Sequence, residues 1–175
     1  LHTDGRVSAC GWNAMGQLGL GDRGDRHVPR RIPGLTRVQA IASASNTVLA
    51  LHRDGTVSAW GEDGAGMGLC TRAADEKHPR RARRPPRRAR RPPRAQQVQT
   101  PIVCHDNVAV PQKIADLKNV VALGATGYHG LFLHANGTVS AIGENKRGEL
   151  GVGDRAPHYT PCLLYTSPSP RDGLL

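Results

Sequence analysis

Hydrophobic and polar residues alternate around the same short turn in three parts of the chain. Residues 1–9 have the sequence Leu-His-Thr-Asp-Gly-Arg-Val-Ser-Ala, and closely similar sequences occupy residues 51–59 and 133–141. Asp-Gly or Asn-Gly between β-prone residues favours a tight turn with positive φ, whose twist matches that of the flanking strands. The pattern predicts one β-hairpin per copy, with turns at Asp4 and Gly5, Asp54 and Gly55, and Asn136 and Gly137.

A glycine-rich segment follows the first and third hairpins with nearly the same spacing. Glycines at fixed offsets predict left-handed backbone, or a close approach of another strand where a Cβ would clash. The second copy, residues 61–70, is one residue shorter and lacks the closing Gly-Asp pair. The residues to which we assign this structural role are Gly11, Asn13, Gly16, Gln17, Gly19, Gly21 and Asp22, and Gly143, Asn145, Gly148, Gly151, Gly153 and Asp154.

Two further apolar stretches complete the unit. Val28, Pro29, Ile32, Leu35 and Val38 return 82 residues later as Val110, Pro111, Ile114, Leu117 and Val120. No stretch has a sustained 3.6-residue apolar period, so the pattern predicts strands and little or no helix. Each unit buries its apolar face only against a neighbouring unit, as in repeat proteins. The prediction is an all-β fold built from four-stranded antiparallel sheets.

The pattern Gly-x-Asn-x-x-Gly-Gln-Leu-Gly-x-Gly-Asp, preceded by Asp-Gly-x-Val, resembles the regulator of chromosome condensation (RCC1) repeat. The resemblance implies a β-propeller of four-stranded blades, here partial, with about three repeats of which one is interrupted. A histidine that the resemblance places before an apolar strand is present as His129, whereas the matching position of the preceding copy is Thr47. A closed propeller of typically ~4–8 such blades needs a longer chain, so we expect a fragment of a larger protein.

The predicted organisation has four parts. Residues 1–70 hold the first repeat and the start of the second, and residues 105–162 hold the end of the second and the start of the third. Residues 71–104 form an Arg/Pro-rich insertion predicted to be disordered. Residues 163–175 carry no repeat feature, and their sequence favours an artefact over an element of the fold.

Nearly all of the net charge belongs to the insertion. Residues 71–100 hold ten Arg and one Lys against two carboxylates, a net charge of +9, whereas the whole chain carries +10. Three interpretations stay open: translated non-coding sequence, a solvated loop, or a functional patch that binds phosphates or acts as a nuclear-localisation signal. The basic patch would consist of Arg80, Arg81, Arg83, Arg84, Arg87, Arg88, Arg90 and Arg91.

No motif indicates catalysis, a cofactor or a metal. The glycines at 19–24 match a dinucleotide-binding pattern but already belong to the repeat, and no helix is predicted after them. His2, His52 and His134 occupy one position beside each hairpin, which predicts a role at the turn rather than a ligand set. The four cysteines are widely spaced and predicted to be reduced and mostly buried. Trp12 and Trp60 are predicted to pack inside the blades.

The sequence therefore favours a non-catalytic scaffold that binds a protein partner, within a larger regulatory protein. An alternative implied by the resemblance is guanine-nucleotide exchange on a Ran-type small GTPase, which requires a complete propeller. Another alternative is chromatin or DNA binding through residues 71–100. No signal peptide and no membrane-spanning apolar run is present, so we expect no membrane partner and a cytoplasmic or nuclear location, or both.

Overall fold

The computed structural model describes residues 1–62 and 107–164. Within these residues the chain forms ten β-strands and no helix, which confirms the all-β prediction. No helix long and apolar enough to cross a membrane is found among them. The strands are β1 (Ser8–Gly11), β2 (Arg26–Arg31), β3 (Val38–Ala44), β4 (Thr47–His52), β5 (Val57–Gly61), β6 (Val108–Lys113), β7 (Val120–Thr126), β8 (His129–His134), β9 (Val139–Gly143) and β10 (His158–Leu164).

The strands form three antiparallel sheets, each made of strands that follow one another along the chain. β3 to β6 form one four-stranded sheet and β7 to β10 form another, while β1 and β2 form a two-stranded sheet. We call these sheets the second, third and first blades in the order of the chain. By sequence equivalence, β1 and β2 correspond to the last two strands of the other blades. The described part is therefore an arc of propeller blades.

Alternation along a strand supplies apolar residues to two interfaces at once, because successive side chains point to opposite faces of a sheet. In β4, Leu49 and Leu51 are fully buried and pack with Phe132 of the third blade. Ala50, between them, packs with Val7 and Trp60 in the interface with the first blade. This double burial explains why β4 is almost continuously apolar, whereas a strand with one solvent-exposed face alternates.

The two interfaces use equivalent residues. The connections that leave β2 and β6 insert their apolar side chains at matching places between successive blades. The interface between the first and second blades contains Val7, Ile32, Leu35, Val38, Ala50 and Trp60. The interface between the second and third blades contains Leu49, Leu51, Val57, Ala59, Ile114, Leu117, Val120, Phe132 and Ile142.

The direction of the strands gives the blades two loop-bearing faces. The hairpin face carries the tight turns at residues 2–6, 52–56 and 134–138 and the inter-blade connections at 32–37 and 114–119. Arg53 N donates a hydrogen bond to Arg37 O at 2.8 Å, which joins a hairpin to a connection on this face. The glycine-loop face, at the other end of the strands, carries residues 11–25 and 143–157 and the turns at 45–46 and 127–128.

Strand β10 extends the third blade beyond the boundary expected from the sequence. The predicted repeat ends at residue 162, but Leu163 and Leu164 continue β10 and pair with Ser140 and Val139 of β9. The antiparallel ladder continues because β9 offers backbone partners along this length. The predicted insertion at 71–104, its eight-arginine patch and residues 165–175 of the tail lie outside the described residues.

Candidate functional site

Each of the two glycine loops that the structure describes is organised around one buried asparagine. The side chain of Asn13 is fully buried. Its Oδ1 accepts a hydrogen bond from Leu18 N at 2.9 Å, and its Nδ2 donates to Asp22 O at 2.9 Å and to Gly24 O at 3.1 Å. One side-chain amide therefore provides hydrogen-bond partners for three backbone groups of a loop that has no β-ladder of its own.

The third repeat builds the same loop with different neighbouring residues. Asn145 is also fully buried, accepts from Leu150 N at 2.9 Å and donates to Asp154 O at 2.9 Å. Gly148 N donates to Asn145 O at 3.0 Å, as Gly16 N donates to Asn13 O at 2.9 Å. Because the two loops share this network, we propose that the repeated Asn and Gly residues have a structural role.

The aspartates that close the two loops are held ionised by local hydrogen bonds. The bond from Gly24 N to Asp22 Oδ1 at 3.0 Å lowers the pKa of Asp22, and the Arg26 side chain pairs with the same carboxylate. The bond from the His158 ring lowers the pKa of Asp154. Both carboxylates are engaged within their own loop, where they accept hydrogen bonds.

Cys162, His158 and Asp154 form a short chain of side-chain contacts. Its Sγ lies 3.0 Å from His158 Nδ1, and His158 Nε2 lies 3.1 Å from Asp154 Oδ1. Burial raises the pKa of the Cys162 thiol, so the sulfur keeps its proton at neutral pH. The arrangement connects β10 to the loop, and we assign no catalytic role to it.

Three glycines of the first glycine loop lie where the first and second blades come closest. A Cβ built on Gly16 would lie 2.8 Å from Ala109 Cα of the second blade, and one on Gly19 would lie 2.8 Å from Trp60 Nε1. Gly21 N donates to Ala109 O at 2.9 Å, so the loop and the next blade share a backbone hydrogen bond. The repeat glycines with positive φ are Gly11, Gly16, Gly19, Gly21, Gly143, Gly148, Gly151 and Gly153.

The hairpin turns form the contact between blades on the opposite face. Asp54 Oδ1 accepts from Thr56 N at 3.0 Å and from Thr56 Oγ1 at 2.6 Å, which fixes the turn. Gly55 has φ +76°, and a Cβ there would lie 2.9 Å from Asn119 Cα of the third blade. The other two turns have the same form, with Asp4 accepting from Arg6 N and Asn136 from Thr138 N.

The repeated histidines form hydrogen bonds at the hairpins, and His52 and His134 also bond the neighbouring inter-blade connection. His52 Nδ1 lies 3.0 Å from Thr36 O, and its Nε2 lies 2.8 Å from Ser58 Oγ. Because a carbonyl only accepts, Nδ1 carries the proton and Nε2 accepts from the serine hydroxyl. His134 repeats the pattern with Lys118 O and Ser140, and His2 keeps the contact with Ser8. Residues 1–62 and 107–164 contain no cluster suited to a metal ion.

Two predictions of burial are wrong at the first blade. Trp12 is 54% exposed and Cys10 is exposed, whereas Trp60 is buried as predicted. Cys10 occupies the strand position equivalent to Trp60 and Ile142, which a preceding blade covers. Within the described ranges no strand packs on that side of β1, so its side chain meets solvent. Cys162 is partly buried, and Cys70 and Cys104 lie outside the described residues.

The sequence did not reveal which charged residues share a face. Exposed cations that lie far apart in sequence are brought to the hairpin face by the strand topology. No residue spacing signals this convergence, because each cation belongs to a different turn or connection. The residues are Arg31, Arg37, Arg53, Lys113 and Lys118.

These features define a β-propeller repeat protein. They are stacked antiparallel blades, glycine loops that are held by hydrogen bonds to a buried asparagine, and hairpins that contact the next blade. Residues 4–51 match the family model described as the regulator of chromosome condensation (RCC1) repeat. Residues 4–51 therefore carry an RCC1 repeat, as the resemblance in the sequence indicated.

Curated relatives carry the same repeats. The chain is 26% identical to the ultraviolet-B receptor UVR8 of Arabidopsis thaliana over 92% of its own length and 42% of that protein. It is 38% identical to the X-linked retinitis pigmentosa GTPase regulator of Homo sapiens over 66 residues, which is 36% of this chain and 6% of that protein. The chain thus spans less than half the length of these relatives.

Solved structures show the same fold. Human WBSCR16 aligns with a TM-score of 0.64 at 22% identity, covering 93% of this chain and 34% of that protein chain. Prp20p from Saccharomyces cerevisiae aligns with a TM-score of 0.69 at 17% identity, covering 97% of this chain and 36% of that protein chain. At these identities the likeness concerns the fold alone.

We expect Asn13→Ala to destabilise the protein by about 2–3 kcal/mol, because it leaves buried backbone groups of the loop without partners. The matched control is Asn46→Ala, which removes one hydrogen bond from a partly exposed side chain to Glu62 and should cost less than about 1 kcal/mol. Urea denaturation of both variants measures the difference. Equal losses for the two variants would contradict the structural role of Asn13.

Proposed function

We propose that the chain is a non-catalytic protein-interaction scaffold and part of a larger RCC1-repeat regulatory protein. The strands of the second blade are held on both sides by blade packing, so variable side chains on the loops change the surface without changing the fold. The main support for the proposal comes from the exposed side chains on the glycine-loop face. We also propose a cytoplasmic or nuclear location, or both.

Exposure of Trp12 is the observation on which the proposal rests. Its side chain is 54% exposed at the start of the first glycine loop. The equivalent residues of the second and third blades are Glu62 and Glu144, so the repeat itself does not require an aromatic residue here. Tryptophan is enriched at binding hot spots, because it contributes a large apolar area together with one hydrogen-bond donor.

Tyr128 adds a second aromatic side chain to the same face. It lies in the turn between β7 and β8 and is 45% exposed. The equivalent residue in the turn between β3 and β4 is Asn46, which is partly buried and bonded to Glu62. Aromatic residues exposed at positions where other repeats have polar residues support a protein partner on the glycine-loop face.

Trp12→Glu tests this proposal without disturbing the fold, because it installs the residue that both other repeats carry. We expect at least one protein captured from a cell extract by the immobilised chain to lose about tenfold or more of its binding, as hot-spot truncations do. Quantitative mass spectrometry of the captured proteins, repeated with the purified candidate, measures the loss.

The control is Val28→Thr, which changes an exposed apolar residue of β2 away from the loops and should leave capture unchanged. An identical set of captured proteins, in equal amounts, for the native chain and Trp12→Glu would contradict the proposal.

Guanine-nucleotide exchange is the second candidate. One relative is a GTPase regulator, and the Prp20p structure was described together with its binding to Gsp1p and histones. The resemblance implies that exchange requires a complete ring and a projecting wedge. Chromatin binding through residues 71–100 stays a further prediction, because that segment lies outside the described residues.

The scaffold proposal predicts that the chain leaves GDP release from a Ran-type GTPase at its intrinsic rate. The assay follows a fluorescent GDP analogue after adding excess unlabelled nucleotide, with EDTA-induced release as the positive control. A rate that increases in proportion to the concentration of the chain would reject the non-catalytic assignment and establish exchange.

A further inference from the structure

The turn of the third hairpin differs from that of the second at a single residue. Residues 54–56 are Asp-Gly-Thr, whereas residues 136–138 are Asn-Gly-Thr. Asn136 is followed by glycine, and every other asparagine in the sequence precedes Ala, Thr, Val or Lys. Glycine has no Cβ and is conformationally permissive. In an Asn-Gly pair the backbone nitrogen of the second residue therefore reaches the asparagine side chain more readily than in any other pair.

The closed turn keeps both parts of this pair engaged in hydrogen bonds. Gly137 N donates to His134 O at 2.9 Å. Asn136 Oδ1 accepts from Thr138 N at 3.1 Å and from Thr138 Oγ1 at 2.8 Å. The second hairpin makes the same set of bonds within residues 52–56. Inside their own turns the two hairpins are therefore alike.

The second hairpin is also held by the next blade. Gly55 is buried, and a Cβ built on it would lie 2.9 Å from Asn119 Cα. Gly55 O accepts a hydrogen bond from Val120 N at 3.0 Å, which joins the turn to the first residue of β7. The first hairpin is held in the same way, since Gly5 is buried and its carbonyl accepts from Val38 N at 2.9 Å.

The third hairpin has no such support in the described part of the chain. Asn136 and Gly137 are exposed, and a Cβ built on Gly137 meets nothing within 4 Å. Among the described residues, none donates a hydrogen bond to Gly137 O. Ala135 N donates to Asn119 O at 2.8 Å, which holds the residue before the pair but not the pair itself. Local opening costs less free energy where a segment has few contacts, so this turn should open more often than the second.

We infer that Asn136 is a site of spontaneous deamidation, and that the reaction proceeds in the folded protein because no blade holds this hairpin in the described part of the chain. In the opened turn, Gly137 N gives up its proton and forms a bond to Asn136 Cγ. The Cγ–Nδ2 bond breaks, and ammonia leaves with that proton. Water then opens the resulting cyclic succinimide at either carbonyl. The two reacting groups belong to adjacent residues, so the first step is unimolecular.

The two products affect the hairpin differently. One is aspartate, the residue that the second hairpin already has at Asp54, where a hydrogen bond from the Thr56 side chain lowers the pKa of the carboxyl. The other is isoaspartate, in which the main chain runs through the former side chain and gains a methylene group. This longer main chain cannot keep the side-chain bond from Thr138 N, so isoaspartate disrupts the third hairpin whereas aspartate preserves it.

The test compares the same tripeptide at two hairpins of one protein. Asp54→Asn gives the second hairpin the sequence of the third, and its amide oxygen accepts the same bonds from Thr56. In the folded variant we expect Asn136 to deamidate about tenfold faster than position 54, because opening the second hairpin also breaks a backbone hydrogen bond and a blade contact. Peptide mapping by mass spectrometry after incubation near neutral pH measures both rates.

The control is the same variant unfolded in guanidinium chloride. Because the tripeptides are identical, positions 54 and 136 should convert at similar rates once the blades are lost. Equal rates in the folded variant, or faster conversion at position 54, would overturn the inference. An Asn136 that converts in guanidinium chloride but stays intact in the folded protein would overturn it as well.

Asn136→Asp gives a second readout that does not depend on the folding of Asp54→Asn. It installs the aspartyl product and copies the first two hairpins, so its circular dichroism melting curve should match that of the fresh native chain. Incubation should lower the melting temperature of the native chain as isoaspartate accumulates. It should affect Asn136→Asp far less, because hydroxide is a poorer leaving group than ammonia. Equal losses in the two proteins, or no isoaspartate at position 136 of the native chain, would reject the site.

Discussion

The close approach of backbone between successive blades is the constraint on which the structure depends. Gly16 lies so near Ala109 of the next blade that a Cβ would approach its Cα to 2.8 Å, and Gly55 is in the same situation against Asn119. Both glycines have φ +76°. Any other residue type would destabilise the fold at these positions for two reasons, because the backbone is left-handed and because its Cβ would clash with the next blade. Glycine at these places lets the apolar sheet faces meet.

Packing at these contacts determines which residue types the strands accept and which positions are left to vary on the two faces. Central strands such as β4 are buried on both sides, so their variation is limited to apolar residues. The loops at the strand ends carry the polar and aromatic variation. The buried Asn13 and Asn145 hold those loops in one conformation while residues such as Trp12 and Glu144 differ between copies. In the function proposed above, binding therefore belongs to the faces, and stability belongs to the repeat.

The repeat could be predicted from the sequence because its signals are local. Asp-Gly and Asn-Gly turns, glycine spacing and apolar stretches specify strands without knowledge of tertiary contacts, and the structure has strands on both sides of the second and third turns. The apolar stretches were predicted as strands throughout, but Ile32, Leu35, Ile114 and Leu117 lie in the connections between blades. Burial at the first blade could not be predicted, because Cys10 and Trp60 occupy equivalent strand positions and differ only in whether a blade covers them. The convergence of Arg37 and Arg53 was equally hidden, since it depends on which loops share an end of the sheets.

The central claim is tested most directly by alanine at paired repeat positions. Gly16 and Gly148 share the same place in the repeat and similar φ values of +76° and +83°, but within 4 Å a Cβ on Gly148 meets nothing. Gly55 and Gly137 form a second such pair. Chemical denaturation should show Gly16→Ala and Gly55→Ala to be about 2 kcal/mol more destabilising than their partners, because only they create a clash with the next blade. Equal losses within each pair would mean that backbone conformation alone, and not contact between blades, explains the glycines.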